Sequence, residues 1–233
     1  EAPDIVKHAL PGQFVSLYCQ ERDRLLPRPI SICELDREAG SLRLVYRVVG
    51  AGTEEFSRLV SGDQIAVLGP LGNGFEREGK RPLLIGGGIG IPPMLELAKQ
   101  FGGSAAVVLG YRDSDMFLKE EFEAYARVYV ATDDGSAGTK GTVIDAIDEQ
   151  KLLEDGVDVI YSCGPTPMLR GVKHFAQEHD IKAYLSMEER MACGVGACLA
   201  CVCQSTEIDD HSKVKNKRVC KDGPVFLSTE VEL

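Results

Sequence analysis

Four cysteines near the end of the chain, Cys193, Cys198, Cys201 and Cys220, have the types and spacing to hold an electron carrier. Cys193-x4-Cys198-x2-Cys201 with a distant fourth cysteine is the spacing of a plant-type two-iron, two-sulfur loop. Thiolates that close on a compact anionic cluster need small residues between them, and Gly194, Gly196, Ala197 and Ala200 supply these. They let the backbone wrap closely and aim N–H groups at sulfur. Such a cluster moves one electron at a time and breaks no substrate bond. Zinc also takes tetrahedral thiolates, but its structural sites usually come as two short Cys pairs, and Cys220 has no near neighbour of that kind. Disulfides suit a secreted chain, and no positively charged, apolar leader is present. Cys203 reads as a small buried hydrophobe, because the ligand spacing is complete without it, and Cys19 and Cys33 lie in apolar, strand-like runs.

Three further motifs offer binding chemistry for phosphate. Arg28-Pro29-Ile30-Ser31 is a rigid extended turn whose guanidinium can hold two diphosphate oxygens at once. A solvated edge strand is its bland alternative. Gly50, Gly52 and Thr53 add backbone N–H groups at a helix start. Later, Gly86-Gly87-Gly88-Ile89-Gly90-Ile91-Pro92-Pro93 places G-x-G-x-x-P over Gly88, Gly90 and Pro93. Glycine permits close approach of backbone to a diphosphate, and proline starts a helix whose N-terminus faces it. A plain tight turn would look the same. Tyr111-Arg112, Thr132-Asp133-Asp134-Gly135 and Ser162-Cys163-Gly164-Pro165 close later strands with polar and glycine residues, as a bound nucleotide needs.

The elements that position these motifs differ along the chain. Residues 13–20, 28–34, 42–49 and 64–68 are short apolar runs between turn signals, with one helical pattern at TEEFSRLV that Thr53 is placed to cap. This predicts a small antiparallel β-barrel over 1–79. From Pro82 onward, continuous Val/Ile/Leu strands alternate with helical patterns, which predicts a parallel α/β domain over 80–188. Residues 189–233 form a cysteine-loop subdomain, and the whole is an α+β multidomain chain. The 233 residues carry 26 basic and 36 acidic side chains, a net charge of −10 that disfavours nucleic-acid binding. The longest apolar stretch is broken by Gly and Pro, so no membrane span is expected. His8, His174, His179 and His211 suggest no acid–base or triad machinery, and no catalytic residue is assigned.

A barrel with R-P-x-S, then G-x-G-x-x-P, then C-G-P-x-x-M (Cys163 to Met168) resembles the ferredoxin–NADP reductase superfamily. With MACGVGACLACVC and RVCKDGPVF the chain resembles, more specifically, the electron-transfer subunits of class 1B dihydroorotate dehydrogenase. The likeness covers essentially the whole chain. It implies FAD on Arg28, Pro29, Ile30 and Ser31, with the strand Val45-Tyr46-Arg47 and the turn Gly52-Thr53 holding the rest of that cofactor. It implies a [2Fe-2S] cluster on Cys193, Cys198, Cys201 and Cys220, and NAD as substrate at Gly88 and Gly90. It further implies a cytoplasmic partner, an FMN-containing catalytic subunit that oxidises dihydroorotate in pyrimidine biosynthesis, in a heterotetramer of two copies of each. A nicotinamide exchanges electrons in pairs and a cluster takes them singly, so flavin must stand between them. A reductase subunit of a sulfite reductase or hydrogenase complex shares much of this layout. In one respect the chain departs from the family. The family has a strand or more before Leu10-Pro11-Gly12-Gln13-Phe14, so either the chain is shortened or the barrel lacks an element.

Overall fold

The computed structural model describes residues 1–21, 24–209 and 213–233. His211 lies outside the described residues. Proline at its first position starts a short helix, α1 (Pro3–His8), that the sequence reading did not anticipate. The N-terminal sheet follows as β1 (Phe14–Tyr18), β2 (Arg28–Asp36), β3 (Ser41–Leu44) and β4 (Ala66–Leu71), with α2 (Ala51–Phe56) between the last two. It has four strands in the order β3-β2-β1-β4. Val15 and Leu17 of β1 pack with Ile32, Leu35, Phe56 and, from α1, Val6.

The expected barrel is corrected on this point. Among the described residues no pairing joins β3 to β4, so the sheet stays open. The chain leaves the strand conformation at Leu44, and Val45–Arg47, expected as strand, lies outside any strand. Thr53 is likewise not the cap of α2. It sits inside the helix, where its Oγ1 accepts the N–H groups of Val49 (3.0 Å) and Gly50 (3.2 Å), so Gly50 starts the helix.

The middle of the chain runs β5 (Pro82–Gly87), α3 (Pro92–Phe101), β6 (Ala106–Tyr111), α4 (Lys119–Glu123), β7 (Arg127–Thr132), β8 (Thr139–Lys140), α5 (Val143–Glu149), β9 (Val159–Cys163), α6 (Thr166–Glu178) and β10 (Lys182–Ser186). Its strands pair in parallel, and the central β5, β6 and β9 are buried almost throughout, as continuous apolar runs require. Leu83 and Ile85 of β5 point to α5 and α6, where Ile147, Val172 and Phe175 meet them. Leu84 points the other way, into α3 and α4 through Met94, Leu97, Phe101 and Phe122. Gly102, at φ +55°, ends α3 in the left-handed conformation that glycine tolerates.

The final segment returns to this sheet. After β11 (Val202–Gln204) and β12 (Asn216–Arg218), which pair with each other, β13 (Val225–Leu227) adds antiparallel to β10. The large sheet thus has seven strands in the order β13-β10-β9-β5-β6-β7-β8. The short β8, β11, β12 and β13 were not expected from the sequence. Among the described residues no helix is long and apolar enough to cross a membrane.

Candidate functional site

The cysteines assemble from two loops, one on each side of the β11–β12 pair. In the first loop the backbone turns back on itself at Gly194 (φ +69°), Gly196 (φ +84°) and Leu199 (φ +60°). This curvature aims the N–H groups of Val195, Ala197 and Cys198 at Cys193 Sγ, at 3.5, 3.3 and 3.4 Å. Gly196 N–H donates to Cys220 Sγ at 3.1 Å, and Cys220 N–H to Cys201 Sγ at 3.4 Å. The Cys193 thiol interacts with Cys198, and the Cys220 thiol with Cys201 first and more weakly with Cys193. No three metal-binding side chains converge on one point among the described residues. Two thiol pairs with amides directed at sulfur fit two irons, each held by one pair, better than one tetrahedral ion.

Arg218 braces both loops, a role that its position near Cys220 gave no sign of. Its guanidinium pairs with Asp222 (2.9 Å) and donates to the carbonyl of Gly196 (3.2 Å). Electrostatics differ across the site. Burial raises the Cys193 thiol, but the N–H groups of Val195, Cys198 and Ala197 and the Cys198 thiol outweigh it and bring the pKa down to about 6. Burial pushes Cys220 up to about 12. Cys198 is exposed, Cys201 and Cys220 are buried, and Val195 and Leu199 stand out in solvent beside them. Cys203 is buried in the core, as the sequence suggested, and burial raises its thiol to about 11. Cys33 is buried too, while Cys19 is half-buried.

The R-P-x-S segment begins β2, with Arg28 opposite Leu17 and Ser31 opposite Phe14. The Arg28 guanidinium donates to the Leu26 carbonyl and lies over Gly52, where any Cβ would overlap it. Arg24 Nη1 donates to the Ala51 carbonyl (2.9 Å) and tightens the same contact. Leu25, Leu26, Val48 and Val49, next in sequence to these contacts, are exposed apolar side chains. A guanidinium fork of this kind fits the diphosphate of a dinucleotide. Val45 packs toward the core of the parallel sheet, Tyr46 meets Phe56 edge-on at 6.3 Å, and Arg47 is exposed.

The third group of residues lies at the carboxyl ends of β5 and β9, which pair with Gly86 opposite Cys163. Gly88–Gly90 is one tight helical turn leading into α3, and Gly88 is at φ +52° with open space where a side chain would be. A Cβ at Gly90 would strike the Cys163 carbonyl and Gly164, and one at Gly87 would strike the Met168 sulfur. The glycine turn and the C-G-P-x-x-M turn therefore touch, at the strand ends where open α/β sheets bind ligands. Tyr111-Arg112 and Asp133-Asp134 meet alongside, through N–H donations from Asp133 to Tyr111 (3.2 Å) and from Asp134 to Arg112 (3.3 Å). Burial raises the Cys163 thiol to about 12, against a partial offset from a hydrogen bond with Ser186.

Comparison with known proteins agrees with this geometry. Residues 188–232 match the family model for the iron–sulfur cluster binding domain of dihydroorotate dehydrogenase B, and residues 84–174 match the oxidoreductase NAD-binding domain. The structure superposes on that of an NADH-dependent reduced ferredoxin-NADP oxidoreductase with a TM-score of 0.85 and 34% identity, over 100% of this chain and 83% of that one. It shares its fold with a ferredoxin NADP+ reductase from Neisseria gonorrhoeae solved with FAD and NADP, with a TM-score of 0.58 and 18% identity over 74% of this chain and 80% of that one. Fold and site define an NAD-linked oxidoreductase of the ferredoxin–NADP reductase type. Curated relatives make the assignment narrower. The "Dihydroorotate dehydrogenase B (NAD(+)), electron transfer subunit" of Listeria monocytogenes serotype 4a is 49% identical over 96% of this chain and 87% of its own length. The proteins of the same name from Bacillus caldolyticus and Fusobacterium nucleatum are 48% and 44% identical over the same shares. The chain belongs to this family of electron transfer subunits.

Proposed function

We propose that this chain carries electrons between a dihydroorotate-oxidising, FMN-containing partner subunit and NAD+, in the cytoplasm and as part of a heterotetramer with two copies of each subunit. The observation that carries the reading is the close seat of the cysteine loop on the sheet that bears the R-P-x-S segment, within one chain of this family. Cys193 with Cys198 and Cys201 with Cys220 would hold a [2Fe-2S] cluster, and Arg28-Pro29-Ile30-Ser31 with Gly52 and Thr53 would hold FAD. Gly88 and Gly90 would admit the NAD diphosphate. The open N-terminal sheet of residues 1–79 then serves as the FAD-binding module, residues 80–188 as the NAD domain and residues 189–233 as the cluster subdomain.

When bound, flavin supplies the exchange between paired and single electrons that neither nicotinamide nor an iron–sulfur centre can make alone. The protein's own work is placement. Arg28 fixes a diphosphate, and the Gly88–Gly90 turn brings backbone rather than side chain against the second dinucleotide. Amides 195–198 and 220 neutralise charge on thiolate sulfur. Hydride transfer needs alignment more than acid–base chemistry.

A second reading, an NAD(P)H-dependent reductase subunit of another complex, draws support from the full-length likeness to the NADH-dependent reduced ferredoxin-NADP oxidoreductase. One experiment separates the two. The purified chain should oxidise NADH with an artificial acceptor and show no dihydroorotate oxidation. Mixing with an FMN-containing dihydroorotate dehydrogenase catalytic subunit should then produce dihydroorotate-dependent NAD+ reduction. Failure of that mixture, with NADH oxidation intact, would favour the second reading.

A further inference from the structure

The cysteine loop does not stand clear of the N-terminal sheet. Gly194 approaches β1 so closely that a Cβ on it would lie 3.0 Å from Ser16 Oγ and 3.4 Å from Leu71 Cδ1. Ser16 is 1% exposed, an unusual burial for a serine in a strand whose neighbours are Phe14, Val15 and Leu17. Strand alternation divides those neighbours between two cores. Val15 and Leu17 pack with Ile30 and Phe56 beside the R-P-x-S segment, whereas Phe14 packs in the core that contains Cys201 and Cys220. Ser16 points to the same side as Phe14, and its partner across the sheet is Pro29. One side chain thus touches the loop of the first cysteine and stands opposite the middle of the diphosphate-binding segment.

A second contact holds the same surfaces together. Asn73 N–H donates to the Gly223 carbonyl (2.7 Å), its Nδ2 donates to the Val225 carbonyl (2.7 Å), and its Oδ1 accepts Val225 N–H (2.9 Å). The segment just after Cys193 is seated on the middle of β1 and the end of β4, and the segment just after Cys220 on Asn73 just beyond β4. Serine is one of the few residues small enough for the first seat, and glycine at φ +69° completes the close approach.

We propose that Ser16 is a positioning residue for electron transfer. Its small side chain sets how closely the Cys193–Cys198 thiol pair lies to the flavin-binding strand, and so sets the rate of single-electron passage between them. This rests on the function proposed above. Each NADH gives up a hydride, which amounts to two electrons with NAD+ and a proton as products, so each NADH supports two successive crossings of this contact. No bond forms or breaks at Ser16, and tunnelling across the contact falls steeply with added distance.

The test is rapid mixing of the purified flavin- and cluster-loaded chain with NADH, following the flavin and cluster absorbances separately. Ser16→Ala keeps the small seat and should match the parent at both. Ser16→Leu should lift the loop, leave flavin bleaching unchanged and slow cluster bleaching by about tenfold or more. Its flavin content and the cluster's paramagnetic resonance signal should equal the parent's. If Ser16→Leu loses flavin or cluster, the smaller Ser16→Val carries the same comparison. Equal cluster bleaching in parent and enlarged variant overturns the proposal, and so does equal slowing of flavin and cluster. A parent chain in which NADH bleaches neither overturns the functional reading instead.

Discussion

Cys198 and Cys203 lie in one short stretch of sequence, yet their surroundings assign them opposite roles. Cys198 is exposed and contacts the Cys193 thiol, which accepts the amides around it. Cys203 is 7% exposed on β11, within the apolar core, and burial keeps its thiol protonated. Cys198→Ser should therefore abolish the visible iron–sulfur absorption while FAD remains bound. Cys203→Ala should keep that absorption and cost about 1 kcal/mol of stability, measured by urea unfolding. Retained bands in the Cys198 variant would refute the ligand set. At this scale the grouping of Cys193, Cys198 and Cys201 in one loop was readable, because their spacing is a local property of the sequence. Arg218, Asn73 and Ser16 were not. Each acts on a residue far away in sequence, and nothing in its immediate neighbours marks it.

Among the elements, β5, α3, β9 and α6 were legible because continuous apolar runs and glycine turns specify them locally. Their contact point is specific. Gly90 faces the Cys163 carbonyl with no room for a methyl group, and the two strands are locked in register with Gly86 opposite Cys163. Gly90→Ala should push the glycine turn away from β9, at a cost of about 1–3 kcal/mol. Reduction by NADH should fall while the flavin and cluster spectra of the resting protein stay unchanged. Stopped-flow reduction at several NADH concentrations checks this, and unaltered rates would remove the turn from the nucleotide site. The barrel expectation went astray for an equally physical reason. Val45 and Tyr46 are good strand formers, but β3 ends at Leu44 and the chain leaves the sheet there, with Val45 packed toward the parallel-sheet core and Tyr46 against Phe56. Hydrophobic pattern alone does not distinguish a longer strand from such a bend.

Across the whole molecule, the N-terminal sheet and the parallel domain are joined chiefly between β2 and α3. Glu34 pairs with Lys99 and lies 3.6 Å from Arg43, which in turn holds Glu121 at 2.6 Å. These pairs are partly solvated and contribute little individually. The carboxylate of Glu96 is different: it is 8% exposed and accepts the N–H of Leu35 at 3.1 Å. Glu96→Ala leaves that N–H buried without a partner and should destabilise the protein by about 1–3 kcal/mol, measured by denaturant unfolding. A loss of less than half that would mean the Glu96–Leu35 hydrogen bond is not what holds the two domains together. None of this seam was visible in the sequence, where a glutamate within a helix reads as a solvated face.

The route of β13 has a further consequence for the molecule as a whole. The polypeptide leaves Cys220 and almost at once becomes the outermost strand of the sheet whose inner strands carry the glycine turn, with Phe226 opposite Leu185 and Leu227 opposite Tyr184. Metal held by Cys220 would anchor the start of that strand, so iron occupancy and sheet integrity are linked thermodynamically, each favouring the other. Iron supply would then act as a quality control on the nucleotide-binding half, because a chain that failed to acquire its metal would present a frayed sheet edge to proteases and chaperones.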